Sequence, residues 1–206
     1  MDYLEFLERG GEYFLPNLSI DHVIIGYEDA RLKCLLLRIG EKWLLPGGYV
    51  GKAESVDDAA VRILKERTGL EDPHLTFLAV FGNADRHFRE EWKQFLETTG
   101  QPWKEDYWFN ARFVSLAYYS LVRIGEMHPV PGAFDEAVAW VPFEELPPMW
   151  MDHKAIVREA RHRLKEDARH QQITHKLLPR PFTMPELHQL HQNILQQKID
   201  RSRFQK

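Results

Sequence analysis

The order of apolar runs predicts an α/β fold in which a mixed sheet lies between helices, followed by a small α-rich module. Three observations predict it. Aliphatic and β-branched runs of strand length recur through residues 1–150, separated by short polar turns. A well-marked amphipathic helix sits among those runs at 55–67, and helical patterns flank them at both ends. Pro147-Pro148 then interrupts the pattern, and the remainder of the chain is helical and of opposite charge. Residues 1–150 are thus expected to form one domain, 151–170 a linking helix, and 171–206 a second module.

Each element has its own signal. Tyr3, Leu4, Phe6 and Leu7 have roughly helical spacing and precede Gly10-Gly11, giving a short helix within 3–14. Ser19–Tyr27 is rich in β-branched residues and reads as a strand, and Leu32–Ile39 reads as a second after the polar turn 28–31. Trp43-Leu44-Leu45 forms a short third, closed by a tight turn at Pro46-Gly47-Gly48. Ser55–Arg67 is a helix with Ser55 as N-cap and Asp58 completing a capping box, and Gly69 ends it. Leu75–Phe81, Phe113–Ile124 and Ala137–Val141 are strands. An insertion at 86–110 contains a helix, Glu90–Thr98, and the aromatics Trp103, Tyr107, Trp108 and Phe109. Loops of this length are usually functional or disordered, and its aromatic content argues for order. A helix at 152–168 places Ile156, Ala160, Leu164 and Ala168 on one face. Thr183 and Glu186 form a capping box with Pro185 in the first turn, ahead of the stripe Leu187, Leu190, Ile194 and Leu195. A turn at 196–199 leads to Asp200, which caps a second short helix with Arg201, Arg203, Phe204 and Lys206.

Charge and composition narrow the function. The chain has 206 residues and 44% hydrophobic content, enough for one domain with an appendage. Its net charge of -4 is uneven: 15 Lys and Arg stand against 25 Asp and Glu up to Met151, and 12 against 6 after it. An acidic body with a basic tail points to a polyanion for the tail alone. A lone cysteine, Cys34, excludes a disulfide framework and fits a reducing compartment. The N-terminus lacks a basic region before an apolar one, and no run approaches membrane-span length, so a cytoplasmic protein with no membrane partner is expected.

The chemistry is concentrated between Gly47 and Leu70, where a glycine turn leads into the capped helix. Such a turn lets backbone amides approach phosphate oxygens, and a helix N-terminus favours anions. Gly48, Glu54, Arg62, Glu66, Gly69 and Leu70 match the spacing of the Nudix box, and Trp43-Leu44-Leu45-Pro46-Gly47-Gly48 strengthens the match. Over about residues 15–150 the sequence resembles the Nudix superfamily, which implies an α/β/α sandwich. In that family the paired glutamates of the box bind divalent metal or act as base. Here the corresponding positions are Ile63, Glu66 and Arg67, which share one helix face. A guanidinium repels a unit positive charge 4 Å away by about 4 kcal/mol near a protein surface, and a divalent ion by about twice that. Metal-assisted hydrolysis is therefore expected to be lost or very weak, with no catalytic residues, no cofactor and no metal site; Glu54 and Glu66 are the only box carboxylates left for Mg²⁺. Gly47, Gly48, Glu54, Arg62, Glu66 and Arg67 remain as candidate ligand-binding residues, with Arg67 able to replace the metal as phosphate partner. The plainer reading is a surface ladder of Asp58, Arg62 and Glu66 at i, i+4 spacing.

Two short helices joined by a turn, the second basic, have the layout of a helix-turn-helix. Together with the degenerate box, Asp152-His153, Leu177-Leu178-Pro179 before Phe182-Thr183, and Asp200-Arg201 before Phe204, this resembles the Nudix-related transcriptional regulators of NrtR type. The resemblance implies a Nudix-like sensor fused to a winged helix-turn-helix that binds operator DNA as a homodimer. The effector would be a sugar or nucleotide-sugar, ADP-ribose or arabinose. The helix near 184–195 would support and the one starting near Arg201 would enter the major groove. Arg180, Thr183, Gln189, Arg201, Ser202, Arg203 and Lys206 are the candidate DNA contacts. The sequence stops at Lys206, so the wing expected beyond that helix is missing from it. The alternative is a Nudix hydrolase cleaving a nucleoside diphosphate-linked substrate with Mg²⁺, drawing on Glu105, Asp106, Asp135 and Glu136 in loops. His153, His188 and His191 invite a metal reading, but solvent-facing helix histidines are the expectation, since structural zinc needs four ligands.

Overall fold

The computed structural model describes residues 1–70, 75–129, 136–171 and 173–200. Helix α1 (Tyr3–Tyr13) runs straight through Gly10 and Gly11, because a ring lies there: a Cβ on Gly10 would stand 2.6 Å from the Trp108 indole. Strand β1 (Phe14–Glu28) begins at once and is longer than the sequence suggests. The chain passes Pro16-Asn17 with an irregularity in the pairing, with Asn17 at φ 65° and its side-chain amide donating to the Arg112 carbonyl at 2.6 Å.

β1 is the axis of a seven-stranded mixed sheet. On one side it pairs in parallel with β6 (Val114–Leu121), which pairs antiparallel with the edge strand β5 (Thr76–Phe81). Its other side is shared. The N-terminal part pairs antiparallel with β4 (Gly47–Gly51) and the C-terminal part with β2 (Arg31–Ile39). β2 in turn pairs with β3 (Lys42–Leu44) and β7 (Ala137–Pro142). The β1–β2 hairpin closes on Asp29 and Ala30, both at positive φ, the geometry that matches strand twist in a two-residue turn.

One face of the sheet carries α2 (Val56–Thr68), which buries Ala59, Ala60, Ile63 and Leu64 against Ile20, Ile24 and Leu35. Ser55 caps it by accepting the Asp58 amide at 3.1 Å, but the expected capping box is only half made: the Asp58 carboxylate takes the Ser55 hydroxyl, at 2.7 Å, where a box requires the Ser55 amide. Gly69 ends the helix at φ 73°. The opposite face is covered by α4 (His153–His170) and α5 (Met184–Leu195) together. Ile156, Leu164, Leu190 and Ile194 join Val23, Leu36 and Leu45 in one apolar cluster, so the segment after 171 shares the core of the body. Thr183 and Glu186 make the full capping box of α5.

The insertion is ordered. It holds α3 (Arg89–Thr98) and a 3₁₀ turn, Trp108–Asn110, and packs on α1. Among the described residues no helix is long and apolar enough to cross a membrane.

Candidate functional site

A cavity of about 320 Å³ opens between the N-terminal half of β1, β4 and α2 on one side and the α1–insertion layer on the other. The second side is aromatic. Phe88, Trp92, Phe95, Phe109 and Phe113 come from the insertion and the start of β6, and Tyr3 and Phe6 from α1. Their rings brace one another: Phe6 stacks on Phe109 at 6.0 Å and Tyr49 meets Trp108 edge-on at 4.7 Å. Burial raises the Tyr49 phenol far above its ordinary range, so it stays a neutral part of this wall.

A buried polar floor lies at the inner end. Asp21, on β1, is 6% exposed and accepts from the Ser115 hydroxyl on the neighbouring β6. Arg86 is 5% exposed; its Nη1 donates to the Phe113 carbonyl at 3.1 Å, and its Nη2 stands 3.8 Å from Asp21. His153 Nδ1 accepts the Leu45 amide at 3.0 Å, which places the neutral ring's proton on Nε2, 3.6 Å from Asp21. A carboxylate, a guanidinium and an imidazole N–H thus face one largely apolar chamber, and their burial strengthens the polar contacts they make.

The mouth is formed by α2 and β4. Gly47 and Gly48 do not form the expected tight turn; they are extended and pair with Asp21 and Ile20. Glycine is required by space at Gly47, and at Gly48 a side chain would displace Ile63. A Cβ on Gly47 would come within 2.7 Å of the Ile20 carbonyl, and one on Gly48 within 3.0 Å of Ile63. Arg62 turns away from Asp58 and binds Glu54, Nη2 to Oε1 at 2.7 Å and Nε to Oε2 at 2.9 Å, while its Nη1 reaches Glu66 at 3.2 Å. That guanidinium, helped by the Gly51 amide, holds the Glu54 carboxyl below its usual value. Arg67 donates to the Gly47 carbonyl at 3.3 Å.

These residues do not fit a divalent cation. Glu54 and Glu66 share one guanidinium, Ile63 presents hydrocarbon at 2% exposure, and Arg67 brings a positive charge to the same face. Among the described residues no three His, Cys, Asp or Glu side chains gather closely enough for a metal.

Of the candidate ligand residues, Gly47, Gly48, Arg62, Glu66 and Arg67 line the cavity, and Glu54 does not: it stands behind Arg62 as its partner. The loop carboxylates invoked for hydrolysis are elsewhere. Glu105 pairs with Arg89 at 3.2 Å, Glu136 with Arg38 at 3.5 Å, Asp106 is exposed away from the cavity, and Asp135 lies outside the described residues. The histidines are not solvent-facing. His188 bonds the Ile199 carbonyl at 2.8 Å and His191 the Thr174 hydroxyl at 2.7 Å, tying the turns on either side to α5, and His153 belongs to the cavity floor. Arg180, Thr183 and Gln189 are exposed, whereas Arg201, Ser202, Arg203 and Lys206 lie outside the described residues. Sequence reasoning misses Asp21, Arg86 and the aromatic wall as site residues. A signal for the first is present: an Asp-His pair inside the apolar run Ser19–Tyr27 is a buried polar group that needs partners.

The family model described as NUDIX domain matches residues 18–160, and the one described as NrtR DNA-binding winged helix domain matches 174–206. An ADPR responsive transcriptional repressor NtrR from Acinetobacter baylyi is 24% identical over 204 residues, covering 95% of this chain and 73% of the relative. NrtR from Shewanella oneidensis superposes with a TM-score of 0.71 at 26% identity, over 91% of this chain and 82% of its own. The structure of that protein complexed with a 27mer DNA gives a TM-score of 0.68 at 25% identity, over 91% and 80%.

Proposed function

This chain belongs to the NUDIX domain family, and from that premise we propose that it is an ADP-ribose-responsive transcriptional repressor that holds its effector intact and binds operator DNA through its C-terminal module. One observation carries the reading. On the helix face where the family places its metal carboxylates, Arg62 engages Glu54 and Glu66, while Ile63 and Arg67 fill the remaining positions. With Arg62 held by the two carboxylates, Arg67 is the guanidinium on this face placed to meet a diphosphate, and a guanidinium matches phosphate oxygens without a metal. The aromatic wall supplies flat surfaces for an adenine, and stacking on such rings contributes about 1–3 kcal/mol per base. The floor offers Asp21 to accept from sugar hydroxyls and Arg86 to donate to them. We take ADP-ribose over arabinose because the Acinetobacter baylyi relative is described as responsive to the former. The match at 174–206 and the basic balance after Met151 support DNA as the partner. A homodimer acting in the cytoplasm is the assembly we assign, since paired half-sites call for two-fold symmetry.

The test is a fluorescence titration of the full chain against DNA from upstream of its own gene, at several salt concentrations, with and without ADP-ribose. The expected result is sequence-dependent binding that weakens steeply with salt and shifts about 5–150-fold with the ligand. Binding indifferent to both sequence and ADP-ribose would sink the reading.

A further inference from the structure

Asp152 holds a position that effector binding alone does not explain. It is the N-cap residue of α4, where an aspartate ordinarily accepts an amide of the first turn, yet its side chain caps nothing. It is turned instead to Arg86, whose Nε donates to one carboxylate oxygen at 2.8 Å and whose Nη2 donates to the other at 3.0 Å. Arg86 lines the cavity and Asp152 does not: the carboxylate stands behind the guanidinium. The next residue, His153, takes the Leu45 amide at 3.0 Å. The first turn of α4 is therefore fastened to two cavity-lining segments, the insertion through Arg86 and the β3–β4 connection through Leu45. Farther along, α4 grips the C-terminal segment. Ile156 and Leu164 share a cluster with Leu190 and Ile194, and Arg161 Nη2 donates to the Asn193 carbonyl at 3.0 Å.

We propose that the Arg86–Asp152 ion pair is the element that couples occupancy of the cavity to the placement of α4 and, through it, of the DNA-binding module. The proposal rests on the effector reading above and names how that site is regulated. A ligand shifts a conformational equilibrium only through contacts that differ between two states. Asp21 and Asp152 flank one buried guanidinium, Asp152 in hydrogen-bond contact and Asp21 at 3.8 Å. A ligand that donates a hydroxyl to Asp21 and offers an oxygen to Arg86 changes the balance between these two carboxylates. Because a bidentate charge-assisted pair is directional, that change is felt as a shift in the start of α4.

Asp152→Asn preserves the side chain's shape and keeps one acceptor oxygen for Arg86, but removes the charge and the second hydrogen bond, and Asp152 itself does not line the cavity. In this variant ADP-ribose affinity by calorimetry should stay within about threefold of wild type, while the ligand's effect on DNA affinity should drop from the wild-type value to under about twofold. By linkage, pre-bound DNA should also cease to alter ADP-ribose affinity. If the wild type responds to ADP-ribose and Asp152→Asn responds equally, the coupling proposal is overturned and the effector reading stands. If the wild type itself shows no response, both fall. Should the variant fail to fold, hydrogen exchange on the wild type decides. ADP-ribose should change the exchange of amides in the first turn of α4 and in α5, and unchanged amides there alongside a changed DNA affinity would overturn the proposal.

Discussion

Gly47 sits where a side chain would collide with backbone, 2.7 Å from the Ile20 carbonyl and 2.8 Å from Asp21 Oδ1. Gly47→Ala must push β4 away from β1, and overpacking of this kind costs about 1–3 kcal/mol. Urea unfolding should show that loss, and an unchanged midpoint would contradict the close packing described for this strand pair. His22, next to Asp21 on β1, supplies a pH dependence. Burial lowers its imidazole to about 4, from an ordinary 6.5. The folded form then stays neutral while the unfolded chain takes up a proton below pH 6.5, so stability falls as pH drops from there toward about 4. Between pH 7 and pH 5 the loss from this residue is about 2 kcal/mol. Replacing it by His22→Leu should flatten that part of the urea-midpoint profile, and a profile as steep as wild type would show that another group is responsible. At this scale the box residues Gly47, Gly48, Arg62, Glu66 and Arg67 are legible because their spacing lies within one stretch of sequence. Glu54 has the same spacing signal, but spacing does not reveal that it pairs with Arg62 and stays off the cavity lining.

Elements with strong local signals emerge where expected. α2 keeps its Ser55 cap and Gly69 stop, and α5 its Thr183–Glu186 box. β1 reads as a shorter strand because its β-branched signal covers only Ser19–Tyr27, and the pairing of Phe14 with Gly51 on β4 extends it toward the N-terminus. The insertion's helix can be read from its sequence, but its role cannot. The contacts that make it a cavity wall, such as Phe6 with Phe109 and Tyr49 with Trp108, join residues far apart in the chain and leave no periodicity. α5 tests how tightly the C-terminal segment is built onto the body. Leu190 is fully buried in the cluster that also holds Leu36 and Ile156. Leu190→Ala should cost about 2–5 kcal/mol and lower one cooperative transition shared by sheet and helices. A separate early transition confined to helix signal would mean that the segment is fastened less firmly than its packing implies.

On the scale of the whole molecule, the two faces of the sheet have different tasks. α2 and the insertion enclose the cavity, while α4 and α5 occupy the opposite face, and the start of α4 is the point where the two meet. Among the described residues, the basic tail seen in the sequence includes α4, with six Lys and Arg against three Asp and Glu. These parts are tied together by the proposal that the NUDIX cavity binds a diphosphate ligand against α2 without a metal. The most direct measurement is calorimetric titration of ADP-ribose into the full chain in EDTA and again in excess Mg²⁺, with the ligand recovered and analysed afterwards. Equal affinity in both conditions and intact ADP-ribose at the end are the expected result. Binding that requires Mg²⁺, with AMP released at turnover in the ordinary enzymatic range of about 1–10³ s⁻¹, would contradict it.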